Sequence, residues 1–347
     1  MELITHALMS LVLARAGQKW LPRFGMAMLV ASGVAADLDY ASYLGGPAAF
    51  LRFHRTLLHS LAGSAVLACV IAAAFCAIDR ARARKLDTPP SNDSAPAALP
   101  FATALAVCAA GAGAHLLLDL ASGIGVQLLW PFRAGWHAWD LLTNLDPWIL
   151  ILLIAGILLP ELLRLVSEEI GERKKRPRGQ LGGIIALVFL FAYIGARADL
   201  HSRAINLLLS REYHGQAPLA AGAFPASSTP FNWRGVVGTE DTIEELEVSL
   251  LPGSEFDPDR SRTLFKPEPS AVLDAGQRTA AARRFIEYAR FPFAGIAQSD
   301  EGYRFELRDE RFPPDDASRD NIIVVVEMSK SMQIRSEEFR YALAPRR

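Results

Sequence analysis

The sequence predicts an α-helical membrane domain of about six hydrophobic helices at 1–199, followed by a small α+β extracytoplasmic domain at 200–347. Two observations lead to this division. Hydrophobic residues make up 51% of the chain and are concentrated before residue 200, whereas Arg, Asp, Glu and Pro are dense after it. The net charge of -1 therefore averages an apolar part and a charged part. Such a change in composition separates a membrane-embedded region from a soluble domain.

Four apolar runs approach the roughly 20 residues that a helix needs to cross a bilayer. They lie near 57–78, 101–122, 147–163 and 181–198. Two weaker runs, near 3–14 and 24–44, are shorter or interrupted by polar residues. These two complete the six predicted segments, and we expect the first to be too short to cross fully.

Lys and Arg are concentrated in alternate connections between the predicted helices. The rich connections are 15–23, 80–100 and 164–180, whereas 45–56 and 123–146 carry few basic residues. Basic loops stay in the cytoplasm, so we expect a multi-pass protein whose C-terminal domain faces outward. The Pro/Ser-rich stretch at 85–100 is typical of a disordered linker. The first residues are not basic, so we expect no cleaved signal peptide.

Five of the seven histidines, together with several aspartates, fall at one predicted depth, at the outer ends of the helices of the apolar half. His115 and Asp119 are four residues apart and therefore share one helical face, where both can reach one ion or the carboxylate can orient the imidazole. His54 is five residues from His59, about 140° away on an ideal helix, so it must lie at or before the first turn. The candidate positions are His6, Asp37, Asp39, His54, Arg55, His59, His115 and Asp119.

Each candidate also has an ordinary structural interpretation. A lone His6 in an apolar helix is more often a hydrogen-bonded packing residue, and Asp37 and Asp39 can be a helix end that faces water. The combination favours a site, because ionisable groups inside a membrane are costly unless they are partnered. Imidazole and carboxylate ligands together suit Zn²⁺, Mn²⁺ or Fe rather than Ca²⁺. No role follows from the pattern for three nearby residues, His137, Asp140 and Asp146.

Five short stretches together resemble the membrane-bound, predicted metal-dependent hydrolases of bacteria, described as LexA-regulated inner-membrane proteins. That family combines Thr-His near its start, a Pro-Asp-x-Asp-His turn, His-Arg-x-x-x-His, and His-x-x-x-Asp followed by Gly and Leu-x-Pro-Phe. The resemblance covers roughly 1–150. The stretches that carry it are ITHALMSLVLA, ADLDY, HRTLLHS, HLLLDLASGIGVQLLWPF and DPW.

The resemblance implies a bacterial inner (cytoplasmic) membrane location and a divalent metal, most simply Zn²⁺. Two positions depart from the family pattern, since Ala36 replaces its Pro and Tyr40 stands where a His is common. The order of motifs is also similar, more distantly, to that of zinc-dependent phospholipases C, which would imply a phosphoester substrate. The implied metal ligands are His6, Asp37, Asp39, His54, His59, His115 and Asp119.

The C-terminal region predicts antiparallel strands with one helix near 274–290 and a strand near 244–251. Its basic residues alternate with acids rather than forming a stripe, so we expect no nucleic-acid binding. Its simplest role is a lid or recognition domain.

Three functions remain open from the residues alone. The first is a metal-dependent hydrolase at the outer membrane interface, acting on an amphiphilic or phosphoester substrate, with Asp39 or Asp119 as general base and Arg55 as an anion clamp. The second is a non-enzymatic membrane protein with a structural metal cluster and an outer sensing or partner-binding domain. A transporter is disfavoured, because the cytoplasmic halves of the helices are almost without polar groups.

Overall fold

The computed structural model describes residues 1–85, 98–169, 179–226, 229–254, 256–312 and 318–342. Most of the predicted linker at 85–100, together with part of the basic connection at 164–180, lies outside these residues. The chain divides into two compact units. The first comprises Met1–Asp39 and Arg55–Ala196, and the second comprises Tyr40–His54 and Arg197–Arg347.

The first unit is helical. Its helices are α1 (Leu3–Ala16), α2 (Gly25–Val34), α4 (Leu61–Lys85), α5 (Phe101–Ala121), α6 (Pro147–Glu169) and the first part of α7 (Gln180–Leu209), while the short α3 (Pro47–Phe53) belongs to the second unit.

In the described part of the chain, four helices are long and apolar enough to cross a membrane, rather than the six segments predicted. The four are Leu61–Arg84, Phe101–Ala121, Pro147–Leu165 and Gln180–Leu209. The first predicted segment forms only the 14-residue α1. The second divides into the ten-residue α2 and a 3₁₀ segment at Ala35–Gly45, where the aspartates interrupt the apolar run.

Small residues allow α2 to pack closely against its neighbours α1 and α5. A Cβ atom on Gly33 would collide with Ser10, and one on Gly111 would lie 2.6 Å from the carbonyl oxygen of Leu29. The close approach brings the end of α2, and the aspartates that follow it, beside the C-terminal half of α5. These helices therefore position the polar residues described below.

The second unit contains two four-stranded antiparallel sheets, with strand orders β1-β2-β3-β4 and β5-β6-β7-β8. The first packs on the end of α7 through Leu208, Trp233 and Val248. The strands are β1 (Ala220–Pro225), β2 (Asn232–Gly238), β3 (Thr242–Ser249), β4 (Arg262–Phe265), β5 (Pro292–Ser299), β6 (Gly302–Asp309), β7 (Ile322–Ser329) and β8 (Ile334–Tyr341).

The helix predicted near 274–290 is present as two short helices, α8 (Ala271–Gln277) and α9 (Ala280–Tyr288). The break follows from Thr279, whose side-chain oxygen accepts a hydrogen bond from the Ala282 N–H and so caps the start of α9. A threonine in that role favours a helix start over a helix interior. The region is therefore mainly sheet, with its two helices packed against the second sheet.

Candidate metal centre

Four buried side chains converge in the first unit and form a group that can hold a metal ion. They are His6 from α1, Asp37 from the 3₁₀ segment, and His115 and Asp119 from α5. One ligand atom from each lies within 4.8 Å of all the others. Asp37 is the most exposed of the four, with 8% of its side chain accessible, and the other three side chains are at most 1% exposed. We call these four residues the His/Asp cluster.

Asp119 is the centre of this arrangement. Its Oδ1 lies 3.4 Å from Nε2 of His6, and its Oδ2 lies 3.2 Å from Nε2 of His115 and 3.0 Å from Nε2 of His59. The i, i+4 spacing that placed His115 and Asp119 on one helical face thus brings their side chains together. His59 adds a fifth side chain at the same place, since its Nε2 lies 3.0 Å from Nε2 of His115.

Two of the imidazoles have an oxygen atom close to Nδ1, the ring nitrogen on the side away from Asp119. His115 Nδ1 hydrogen-bonds the carbonyl oxygen of Gly33 at 2.8 Å, and His59 Nδ1 lies 2.9 Å from Oδ2 of Asp39. In both rings Nε2 is therefore directed at Asp119. A carbonyl or carboxylate behind the imidazole is the usual arrangement around histidine metal ligands. Gly33 was not among the sequence candidates, because a backbone contact of this kind depends on helix packing.

Arg55 lies beside the cluster in a strained backbone conformation. Its φ of 56° is in the left-handed region that a residue with a Cβ rarely adopts. This conformation directs its N–H to Asp39 Oδ2 at 2.8 Å and its carbonyl oxygen to the Gln127 N–H at 3.0 Å. The guanidinium is 3% exposed and lies 3.4 Å from Asp119 Oδ1 and 3.1 Å from the hydroxyl oxygen of Ser122. Such strain persists only where the surroundings hold it, often at functional sites.

The unsatisfied atoms of the cluster fit a bound cation. Both ring nitrogens of His6, Oδ2 of Asp37 and Oδ2 of Asp119 are buried without a hydrogen bond of good geometry. Positive groups already approach it, since the amino group of Met1 contacts Asp119 as Arg55 does. Burial raises the pKa of Asp37 to about 7 against the lowering effect of nearby positive charges, as expected for a carboxyl placed where its charge lacks compensation. Imidazole nitrogens with carboxylate oxygens form a donor set that Zn²⁺, Mn²⁺ and Fe share.

His54 has surroundings of a different kind. It belongs to the second unit, where its ring stacks on Phe50 with centroids 4.4 Å apart and meets the edge of Tyr40 at 4.5 Å. Its Nε2 lies 3.8 Å from Oδ1 of Asp320. The structure thus does not include His54 among the four clustered residues, and its role as a ligand stays a prediction.

The three polar residues without an assigned role all lie in the connection from α5 to α6. Asp146 caps α6, since its Oδ1 accepts hydrogen bonds from the Trp148 and Ile149 N–H groups at 3.0 and 3.2 Å. His137 pairs with Val126 through reciprocal backbone hydrogen bonds. Asp140 is buried with φ of 57°. The capping contacts give Asp146 a structural role.

Comparison with known proteins agrees with a membrane protein. No curated protein and no solved structure matches the chain. One family model, described as YdjM inner membrane protein, matches residues 1–202. The matched range includes the whole His/Asp cluster, the first three apolar spans and most of the fourth. The chain therefore belongs to the YdjM inner membrane protein family, and it is a multi-pass protein of the bacterial inner membrane.

Proposed function

We propose that the chain is a membrane-bound, metal-dependent hydrolase whose metal is held by the His/Asp cluster. The observation that carries the proposal is the convergence of two imidazoles and two carboxylates within 4.8 Å, with several of their atoms buried and unsatisfied. A buried polar atom without a partner costs on the order of 1–3 kcal/mol. A divalent cation would satisfy all of these atoms together.

The ligands in this proposal are His6, Asp37, His115 and Asp119, joined by His59 through Nε2. Asp39 acts through His59, because its carboxylate lies behind that ring and also accepts the Arg55 N–H. It is therefore a positioning residue, and Asp119 is the remaining candidate for a general base. The bound metal would supply Lewis acidity, which polarises an ester and acidifies water.

Arg55 gives the proposal its preference for an anionic substrate. Its planar guanidinium suits a phosphoryl or carboxylate group, and it contacts the same carboxylate that anchors the cluster. Ser122 holds the guanidinium from one side, since its hydroxyl oxygen accepts from Nη1 while its own O–H donates to the carbonyl oxygen of Asp119 at 2.7 Å. A phosphoester is therefore the substrate class that we favour.

The orientation of the protein forms part of the same proposal. By the positive-inside rule, the basic connections at 15–23 and 80–100 would lie in the cytoplasm. The cluster lies at the other ends of α1 and α5, away from these connections. The cluster and the C-terminal unit would then face the extracytoplasmic side. A reporter enzyme fused after Arg347 should be active outside the cytoplasm, and activity inside it would overturn the orientation.

One observation favours a second candidate, a structural metal cluster without catalysis. Every clustered side chain is 8% exposed or less, and structural metal sites are closed in this way, whereas catalytic sites keep an open position. In this alternative the second unit would sense or bind a partner.

Metal analysis and hydrolysis assays on one set of proteins separate the two candidates. The set is the wild type, His115→Ala, Asp37→Ala and the control His214→Ala, each purified in detergent. The hydrolase proposal expects bound metal and turnover of phosphodiester or lipid substrates in the wild type and the control, and loss of both in the two cluster variants. Metal without turnover across a broad panel would favour the structural candidate, and absence of metal in the wild type would exclude both.

A further inference from the structure

The connection between α5 and α6 forms a hairpin that begins at the cluster. Val126 and His137 exchange two backbone hydrogen bonds of 2.9 Å and close its base. Gly125 makes this closure possible, because its φ is 84° and a Cβ there would lie 2.7 Å from the carbonyl oxygen of His137. The returning strand is fixed to the end of α5, where the Leu141 and Leu142 N–H groups donate to the carbonyl oxygen of Ala121.

The base of this hairpin is tied to the residues that form the site. The Gln127 N–H donates to the carbonyl oxygen of Arg55, and the carbonyl oxygen of Leu128 accepts from the Leu61 N–H. Ser122, three residues after Asp119, links the start of the connection to the Arg55 guanidinium. The hairpin is therefore a rigid neighbour of the cluster.

The tip of the hairpin is apolar, aromatic and exposed. We define it as residues 130–136, WPFRAGW, which lie between the paired residues Val126 and His137 and in which Arg133 is the one charged residue. Phe132 is 85% exposed, whereas Trp130 and Trp136 are half-buried. Trp139, just after the base of the hairpin, is 45% exposed. Together with Trp148, 47% exposed at the start of α6, this region holds four of the six tryptophans of the chain. Exposed aromatic patches of this kind mark an interaction surface.

The helix that follows the hairpin, α6, also has an exposed apolar face. The exposed apolar face of α6 begins at Trp148 and continues through Ile151 and Leu158, which are 62% and 53% exposed. Helix α5 has 21 residues, which at a rise of 1.5 Å per residue corresponds to roughly 30 Å, the thickness of the hydrocarbon core. The returning segment of the hairpin is bonded to the end of α5, since the Trp139 N–H donates to the carbonyl oxygen of Leu120. The hairpin therefore starts at the level of the headgroups, where Trp is enriched.

We propose that the tip of this hairpin inserts into the interfacial layer of the bilayer and forms a lipid-facing entrance to the cluster. The occupant of the aromatic surface is the membrane lipid itself. The hydrolase would then take an amphiphilic phosphoester sideways from the membrane, with the headgroup reaching Arg55 while the acyl chains stay beside the tip. The substrate part of this proposal rests on the proposed hydrolase function, whereas insertion of the tip does not.

Depth-dependent fluorescence quenching tests the insertion on the full chain. A fluorophore is attached to Phe132→Cys in a Cys69→Ala background, because Cys69 is exposed whereas Cys76 and Cys108 are buried. The protein is placed in phosphatidylglycerol/phosphatidylcholine nanodiscs that contain lipids spin-labelled at acyl carbon 5 or 12, or is exposed to iodide in the water. The same label at Leu158→Cys, near the middle of α6, gives the reference for a deep, lipid-facing position.

Insertion predicts that the label at position 132 is quenched at least about twofold more by the carbon-5 lipid than by the carbon-12 lipid, and little by iodide. The reference at position 158 should show the reverse preference between the two lipids. Strong quenching by iodide with none by either lipid at position 132 would overturn the proposal.

A hydrolysis assay tests the entrance separately. In Phe132→Asp, hydrolysis of a phospholipid in nanodiscs should fall at least about tenfold, because a charge replaces a large apolar side chain in the interface. Hydrolysis of a water-soluble nitrophenyl phosphodiester and the metal content should stay unchanged, and Phe132→Leu should behave as the wild type. An equal loss on both substrates would contradict a lipid entrance. A wild type that hydrolyses neither substrate would refute the hydrolase proposal, and the quenching result would still decide insertion.

Discussion

Two buried carboxylates, Asp119 in the first unit and Asp309 in the second, are almost equally hidden from water but differ in how they are satisfied. Asp309 in the second unit is 2% exposed. Its Oδ1 accepts from the Phe291 and Arg311 N–H groups, and its Oδ2 accepts from the Arg290 N–H and from Nε of Arg311, all at 2.6–3.1 Å. Asp119 in the first unit is fully buried. Its Oδ2 lies close to Nε2 of His59 and of His115, but it forms no hydrogen bond of good geometry.

The difference indicates that burial alone does not identify a site. The carboxylate of Asp309 is neutralised by a guanidinium and fixed by backbone donors, so it completes a structure and needs no ligand. The His/Asp cluster brings several donors and acceptors together and leaves them incomplete, which in a native protein calls for an explanation such as an ion. Substitutions should therefore affect metal binding in one unit and folding in the other.

The largest effect is expected from removing a ligand at the centre of the cluster. In Asp119→Ala and His115→Ala, the affinity for Zn²⁺ should fall by more than about 100-fold, since loss of an outer partner of a ligand alone costs 10–100-fold. Competition with a zinc-binding dye in detergent measures the affinity. His214→Ala, which changes a half-exposed histidine of the second unit, is the control, and an equal loss in that variant would remove the distinction between the two units.

The matching change in the second unit is Asp309→Ala. It leaves the buried guanidinium of Arg311 without its partner, which should lower the free energy of unfolding by about 3–5 kcal/mol. Thermal unfolding of the full chain measures the change, with zinc affinity determined on the folded protein. We expect the affinity to be unaltered. Glu301→Ala, in the exposed turn between β5 and β6, should change stability by less than about 0.5 kcal/mol, and a similar loss there would argue against the Asp309 network.

A smaller effect is expected from Asp39→Asn, which sharpens the comparison within the first unit. Asp39 supports His59 from behind at 2.9 Å and is not one of the four clustered residues. Loss of its charge should weaken zinc affinity by about 10–100-fold, less than in Asp119→Ala, and leave the metal content at saturating zinc unchanged. A loss as large as that of Asp119→Ala would mean that Asp39 is itself a ligand, as the family resemblance implies.

The smallest effect concerns a carboxyl of the second unit that is incompletely neutralised. Burial, together with a hydrogen bond to Glu245, raises the pKa of Glu310 to about 7 against the opposing charge of Arg308. Arg234 and Arg262 contact Glu245 from the neighbouring strands.

The raised pKa fixes the direction of a pH dependence. Between about pH 4.5 and 7 the folded protein holds a proton on Glu310 that the unfolded chain has lost, so stability should decrease as the pH rises through this range. Unfolding of the wild type at several pH values measures the slope, and Glu310→Gln should flatten it. An unchanged slope in the variant would assign the dependence to another group.

The sequence allows the four long spans to be predicted, because length and composition alone decide them. The two shorter segments were not confirmed as spans. The pairing of His115 with Asp119 is equally predictable, because four residues return a helix to the same face. His54 lies outside what local patterns can reveal. Its five-residue spacing from His59 already required a break in the helix, and the structure groups it with Phe50 and Asp320 of the second unit.

Other features depend on tertiary contacts that no local pattern encodes. The support of His115 by the Gly33 carbonyl oxygen requires α2 to pack against α5, and the role of Gly33 follows from its lack of a Cβ rather than from any chemistry of its own. The orientation of the Arg55 guanidinium depends on a left-handed backbone conformation and on Ser122, which comes 67 residues later. Residue type identified the participants, whereas packing decided their partners.

The most direct test of the metal centre is the zinc K-edge X-ray absorption spectrum of the wild-type protein purified in detergent and loaded with Zn²⁺. The account predicts at least one bound ion with only nitrogen and oxygen neighbours at about 2.0–2.2 Å, including the outer-shell signature of imidazole, and a weaker imidazole signature in His115→Ala. Absence of bound zinc, or a sulfur shell at about 2.3 Å, would contradict it.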